Sequence, residues 1–174
     1  MKQSIVNFFL FLTCTFFHGC FNGESTGEIP PVSDFDLIRY MGKWYEIARY
    51  PHSFEQDLTH VSAEYSLNSD KTVTVINRGM KHGKPVIIRG IAKMNGPAEK
   101  GNLKVSFFRP FYGEYKIIFF NPERTVAVVT SSTKNYLWIL AREKEIPREQ
   151  MQKILTFLKM KGFPTDKLIM VAQK

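Results

Sequence analysis

Gly42-Lys43-Trp44-Tyr45-Glu46-Ile47-Ala48 opens a long series of short β-type runs. The glycine permits a close or left-handed backbone approach that other residues resist. The Trp-Tyr pair behind it carries a large apolar surface with two polar handles. The first run spans residues 43–50 and ends at Pro51. Residues 51–59 form a loop, and residues 60–67 then alternate. Val61, Ala63, Tyr65 and Leu67 share one face against Ser62, Glu64 and Ser66.

Further runs follow over residues 72–79, 86–94, 103–107, 114–120, 124–130 and 135–142, separated by turn chemistry such as Asn68-Ser69-Asp70 and Asn121-Pro122. Val73, Val75 and Asn77 fall on one side of their strand. Alternation turns Glu64, Ser66, Lys104, Ser106, Glu114 and Lys116 to water. Tyr65, Phe107, Tyr115, Ile117 and Phe119 then point the other way, and Trp138 shares a face with Tyr136 and Leu140. The period changes after Ile146. Pro147 suits a helix start, and Met151, Ile154, Leu155 and Leu158 repeat at helical spacing until Gly162 stops the helix. Residues 168–172 read as a tail strand. The expected fold is all-β: eight antiparallel up-and-down strands, closed to remove their edges, with one C-terminal helix packed outside. An eight-stranded barrel has an interior about wide enough for one small ligand, or for side chains that fill it.

Upstream of the glycine, residues 34–41 predict one helical turn with Ser33 or Asp34 as its N-cap and Leu37, Ile38 and Met41 on a shared face. Residues 21–33 are rich in Gly, Ser, Thr, Glu and Pro and read as a tether without packing. Met1-Lys2 and the apolar run over residues 5–17 read as a signal peptide ending at residue 19, too short for a membrane span. Both cysteines, Cys14 and Cys20, fall in this leader, so cleavage before Cys20 leaves no internal disulfide. The domain is then residues 34–174, a single unit without repeats.

The 174 residues carry a formal charge of +8, which read as solvation of an outer face, since no basic run interleaves with aromatics as nucleic-acid binding requires. His52, His60 and His82 lie in loops or at strand ends without metal-ligand spacing. No serine-nucleophile motif is present. No metal, cofactor or enzymatic activity is therefore expected.

Tyr40-Met41-Gly42-Lys43-Trp44-Tyr45-Glu46-Ile47-Ala48-Arg49 resembles the first motif of the lipocalin family, in its bacterial outer-membrane lipoprotein and apolipoprotein D-like form. Ala63-Glu64-Tyr65-Ser66-Leu67, Val75-Ile76-Asn77 and Val105-Ser106-Phe107-Phe108-Arg109-Pro110-Phe111-Tyr112-Gly113 resemble later strands of the same subgroup. Tyr136-Leu137-Trp138-Ile139-Leu140-Ala141-Arg142 resembles its last strand, and Asn121-Pro122-Glu123-Arg124 departs from its middle motif.

The resemblance implies that Gly42, Trp44 and Arg142 form a structural motif, with the guanidinium over the indole. It implies a pocket lined by Tyr65, Asn77, Phe107, Tyr115 and Trp138, holding a fatty acid or lysophospholipid for storage or transport in membrane maintenance. Gly19-Cys20 resembles a lipobox, with His18 and Phe17 departing from it, so Cys20 would be acylated and hold the barrel at the bacterial outer membrane, facing the periplasm. Ordinary cleavage near Gly19 or Gly23 is the alternative. Lipocalins that isomerise lipids use a barrel thiol, which this barrel lacks. A filled barrel that docks envelope proteins is the second reading, and a homodimer stays open.

Overall fold

A computed structural model describes residues 29–174. The signal peptide expected over residues 1–19 and the expected acylation site Cys20 lie outside the described residues. A one-turn helix, α1 (Leu37–Tyr40), leads into β1 (Gly42–Arg49). There follow β2 (Leu58–Leu67), β3 (Val73–Lys81), β4 (Lys84–Met94), β5 (Asn102–Phe108), β6 (Phe111–Phe120), β7 (Val126–Thr130) and β8 (Leu137–Ala141). The helix α2 (Arg148–Met160) and a two-residue strand β9 (Ile169–Met170) complete the order.

From β1 to β8 each strand pairs antiparallel with the next, and β1 closes the barrel by pairing with both β8 and β2. The closure is shared along β1. Its first half, Gly42 to Tyr45, pairs with β2, while Ala48 and Arg49 pair with β9 instead. The tail fills the place that β2 vacates. His60, at φ 53 beside a bulge in β2, donates its N–H to the Ala172 carbonyl at 2.7 Å. The Gln173 side chain donates to the Glu46 and Val61 carbonyls at 2.7 and 2.8 Å.

Two apolar clusters follow from the period-2 alternation. Trp44, Tyr65, Val73, Val75, Ala92, Leu103, Ile117, Ala127, Val129 and Leu140 form one with Phe35 and Tyr40. Ile47, Val126, Val128, Leu137, Ile139 and Ala141 form the other with Ile154, Leu158 and Phe163. The first lies inside the barrel and the second under α2. All five residues of β7 are buried because it has a core on each face.

Several expectations shift. The N-cap of α1 is Asp36, whose carboxylate accepts from the N–H groups of Ile38 and Arg39 at 2.9 and 3.1 Å. Ile38 consequently faces water, and Tyr40 is the residue of α1 that is buried. The tether reading fails over residues 29–33. Ile29 is buried in the cluster under α2, and Val32 exchanges backbone bonds with Ile117 and Gly101 at 2.9 Å. Bulges between Val105 and Phe108, and between Ile117 and Phe119, break the alternation of β5 and β6. Ser106 and Lys116, expected in water, are buried. Phe119, expected inside with Ile117, instead packs on Phe157 of α2 at 5.1 Å between ring centres. Phe120 takes the inward place, 6.0 Å from Tyr40.

Gly42 sits at φ +90, and a Cβ there would meet the Arg142 Nη1 at 3.4 Å. Gly83 has a similar φ of +74 with nothing within 4 Å. Gly42→Ala is expected to cost about 1–3 kcal/mol in urea denaturation. Gly83→Ala should cost less, the difference reporting the contact with Arg142.

Candidate ligand-binding site

The closed end of the barrel is built first by α1 and the start of β1. The Trp44 indole donates to the Tyr40 carbonyl at 2.8 Å. The Arg142 guanidinium lies over the Trp44 ring, 3.9 Å from its centre, and donates to the carbonyls of Lys43, Arg39 and Tyr40 at 2.9, 2.7 and 3.2 Å. The guanidinium therefore satisfies carbonyls that α1 and β1 leave unpaired at the junction.

Above this seal, Tyr40, Tyr65 and Tyr115 meet at their hydroxyls, with Tyr115 bonded to Tyr40 at 2.6 Å and to Tyr65 at 2.9 Å. Burial pushes the Tyr65 phenol up to about 12, and pushes Tyr40 and Tyr115 well above the ordinary value. All three stay protonated, and two hydrogen bonds link the three hydroxyls. Tyr65 and Tyr115 therefore form a floor.

One wall rises on β3, β4 and β5. Asn77 pairs with Ile88 and Val75 with Gly90, so these residues share the inward face with Val86. The Asn77 Oδ1 is buried and makes no hydrogen bond among the described residues. Val86 and Ile88 are each 38% exposed although they share its face. Water thus reaches the inner side of the barrel here. Gly90 is required by Phe107, since a Cβ would lie 2.7 Å from its ring.

The opposite wall carries charge. Glu46 pairs with Leu140 and Arg49 with Trp138, with Ile47 inserted as a bulge between them. In a regular strand, residues three apart face opposite ways. The extra residue turns Glu46 and Arg49 to the same side. Arg49 donates to the Glu46 carboxylate at 2.7 Å and to the Glu55 and Leu58 carbonyls at 2.7 and 3.2 Å. Glu55 accepts from the Trp138 indole at 3.0 Å.

One guanidinium faces two buried carboxylates, so burial and mutual repulsion push Glu46 above the usual carboxylate range, against the pull of Arg49. Glu55 moves the same way, chiefly by burial. His52 stacks on Phe54 and Tyr136 at 5.1 and 4.9 Å and lies tilted against Trp138 at 5.0 Å. Burial and then Arg49 lower it to about 4, which keeps it neutral. A cavity of about 380 Å³ lies beside this group, lined by Arg49, Pro51, His52, Glu55 and Ile169 among others.

The residues expected to line a pocket thus separate. Tyr65 and Tyr115 meet on the floor, Asn77 and Phe107 stand on one wall, and Trp138 sits across from them beneath the β1–β2 loop. Alternation alone missed Glu46, Arg49 and Glu55. The signal for Glu46 and Arg49 was charge within a largely apolar strand, which a bulge explains, while Glu55 lies in the β1–β2 loop and had no periodic signal. Among the described residues, no group of three His, Cys, Asp or Glu could hold a metal ion.

The lipocalin-like domain family matches residues 35–173. The chain is 39% identical over 170 residues to the outer membrane lipoprotein Blc of Vibrio cholerae, covering 95% of this chain and 98% of that protein. It is 42% identical over 144 residues to the outer membrane lipoprotein Blc of Escherichia coli K12, covering 82% and 81%. Insecticyanin from the tobacco hornworm Manduca sexta superposes with a TM-score of 0.69 at 21% identity, over 82% of this chain and 83% of its own. This chain belongs to the lipocalin family.

Proposed function

We propose that the protein is a binding lipocalin of the bacterial outer membrane that takes up a single acyl lipid, a fatty acid or lysophospholipid, inside its barrel. The observation that carries this reading is the open apolar wall of Val86 and Ile88 beside the unpartnered Asn77. An acyl chain laid there removes apolar surface from water, contributing about 0.8 kcal/mol per buried methylene before ordering costs. Uptake is partition into the wall region above the tyrosine floor, with no bond made or broken. The bacterial relatives, named outer membrane lipoproteins, support the location. Acylated Cys20 would then anchor the chain, with the barrel on the periplasmic side.

Native mass spectrometry with a lysophospholipid titration tests the reading. Saturable one-to-one binding is expected. Ile88→Gln should fold normally, since the side chain is already partly in water, yet weaken binding by about tenfold because the acyl chain would bury it. A folded protein that refuses acyl ligands would instead favour the filled-barrel docking module. The specific observation behind that second reading is the hydrogen-bonded tyrosine cluster that occupies the lower barrel.

A further inference from the structure

The seam between β4 and β5 is paired over part of its length. The register runs from Met94 opposite Leu103 to Ile91 opposite Ser106, and beyond it Lys84 to Gly90 of β4 pair with β3 alone. The bulge in β5 begins where this pairing ends. A cleft of about 220 Å³ opens there, lined by Arg89, Gly90, Ile91, Ser106, Phe107 and Arg109. No carboxylate lines it. Arg89 and Arg109 make no ion pair among the described residues, although the exposed Asp70, held low first by its hydrogen bonds with Thr72, also feels Arg109. Ser106 is only 3% exposed, and its Oγ makes no hydrogen bond among the described residues.

We propose that this seam binds a phosphate group, that of a lysophospholipid whose acyl chain lies in the barrel. The proposal rests on the acyl-binding reading above. Two guanidiniums and a hydroxyl offer more donors than a carboxylate's two oxygens can use, and they match a phosphate's. Burying Ser106 without a partner is unfavourable, and a phosphate oxygen supplies the acceptor. Gly90 and Phe107 belong both to the cleft and to the inner wall. A chain packed along that wall therefore delivers its headgroup to the seam at high effective concentration. Free phosphate lacks this tether.

The test compares lysophosphatidate with the monoacylglycerol of the same chain, which differs by the phosphate alone. The wild type is expected to prefer lysophosphatidate by about tenfold or more, and to lose most of that preference at about 1 M salt, where the Debye length is about 3 Å. The double variant Arg89→Gln, Arg109→Gln should bind both lipids equally while keeping the wild-type affinity for the glyceride, which also shows that it folds. Ser106→Ala should reduce the preference by about threefold. A preference that survives in the double variant, or is missing from the wild type, overturns the seam assignment and leaves the barrel reading standing. Failure of both lipids to bind overturns the two together. Inorganic phosphate at millimolar concentration should not displace lysophosphatidate. If it does, the site takes a free anion and the headgroup assignment falls.

Discussion

Arg142→Ala is expected to lower the unfolding free energy by about 3 kcal/mol, measured by urea denaturation with tryptophan fluorescence as the probe. The substitution removes three donated bonds to the Lys43, Arg39 and Tyr40 carbonyls together with the stack on Trp44. Arg142 is half-buried, so water can reach some of the freed carbonyls, and the loss falls below the sum of three charged bonds. Arg142→Lys should recover less than half of it. An ammonium can sit over the indole or reach one carbonyl, but it has no planar fork with which to do both. Paired with Trp44→Phe in a double-mutant cycle, the coupling is expected to be about 1 kcal/mol. A lysine variant as stable as the wild type would show that charge alone seals this end.

This junction was legible in the sequence through the lipocalin resemblance, with which the alternation of the strands agrees. Gly42-x-Trp44 opens the first strand, Arg142 ends the last, and regular alternation sends Trp44 and Leu140 inward together. Most of the failures share one cause. Phe119, Glu46 and Arg49 adjoin bulges and were assigned a face, or missed, by counting in twos, whereas Ser106 and Lys116 keep the outer face that alternation gave them and are buried there. A bulge is a mismatch between two paired strands, so its position depends on the partner's length and curvature as well as on its own residues. Asn121 failed differently. It was read as a turn residue, and it is in a turn. It is also buried, its Oδ1 accepting from the Thr125 and Val126 N–H groups at 2.8 and 2.7 Å and its Nδ2 donating to Glu123 and Thr125. A side chain that bonds its own loop organises the turn without any periodic trace.

Arg49→Met is expected to cost about 3–5 kcal/mol at pH 8, because it leaves Glu46 and Glu55 buried without a cation. It also frees the Glu55 and Leu58 carbonyls, which Arg49 ties to β1. The 53–57 segment should then exchange its amide hydrogens faster, loosening the cover over Trp138. Glu46→Gln tests the charge balance itself.

In the wild type the Glu46 pKa is raised in the folded state, so above the ordinary carboxylate value of about 4.5 the native protein binds more protons than the unfolded chain. Stability therefore falls with rising pH until the native group ionises, at about 1.4 kcal/mol per pH unit for one proton. His52 acts in the opposite sense. Its native value of about 4 lies below the ordinary 6.5, so it makes stability rise with pH across that interval and then contributes no slope. The two slopes oppose each other below pH 6.5, and the carboxylate slope stands alone above it.

Wild-type stability is thus expected to decline through neutral pH, and Glu46→Gln should flatten that decline. The variant retains one guanidinium facing one carboxylate, so its advantage over the wild type should grow with pH. A stability difference between the two that stays constant from pH 6.5 upward would mean that Arg49 holds Glu46 ionised throughout.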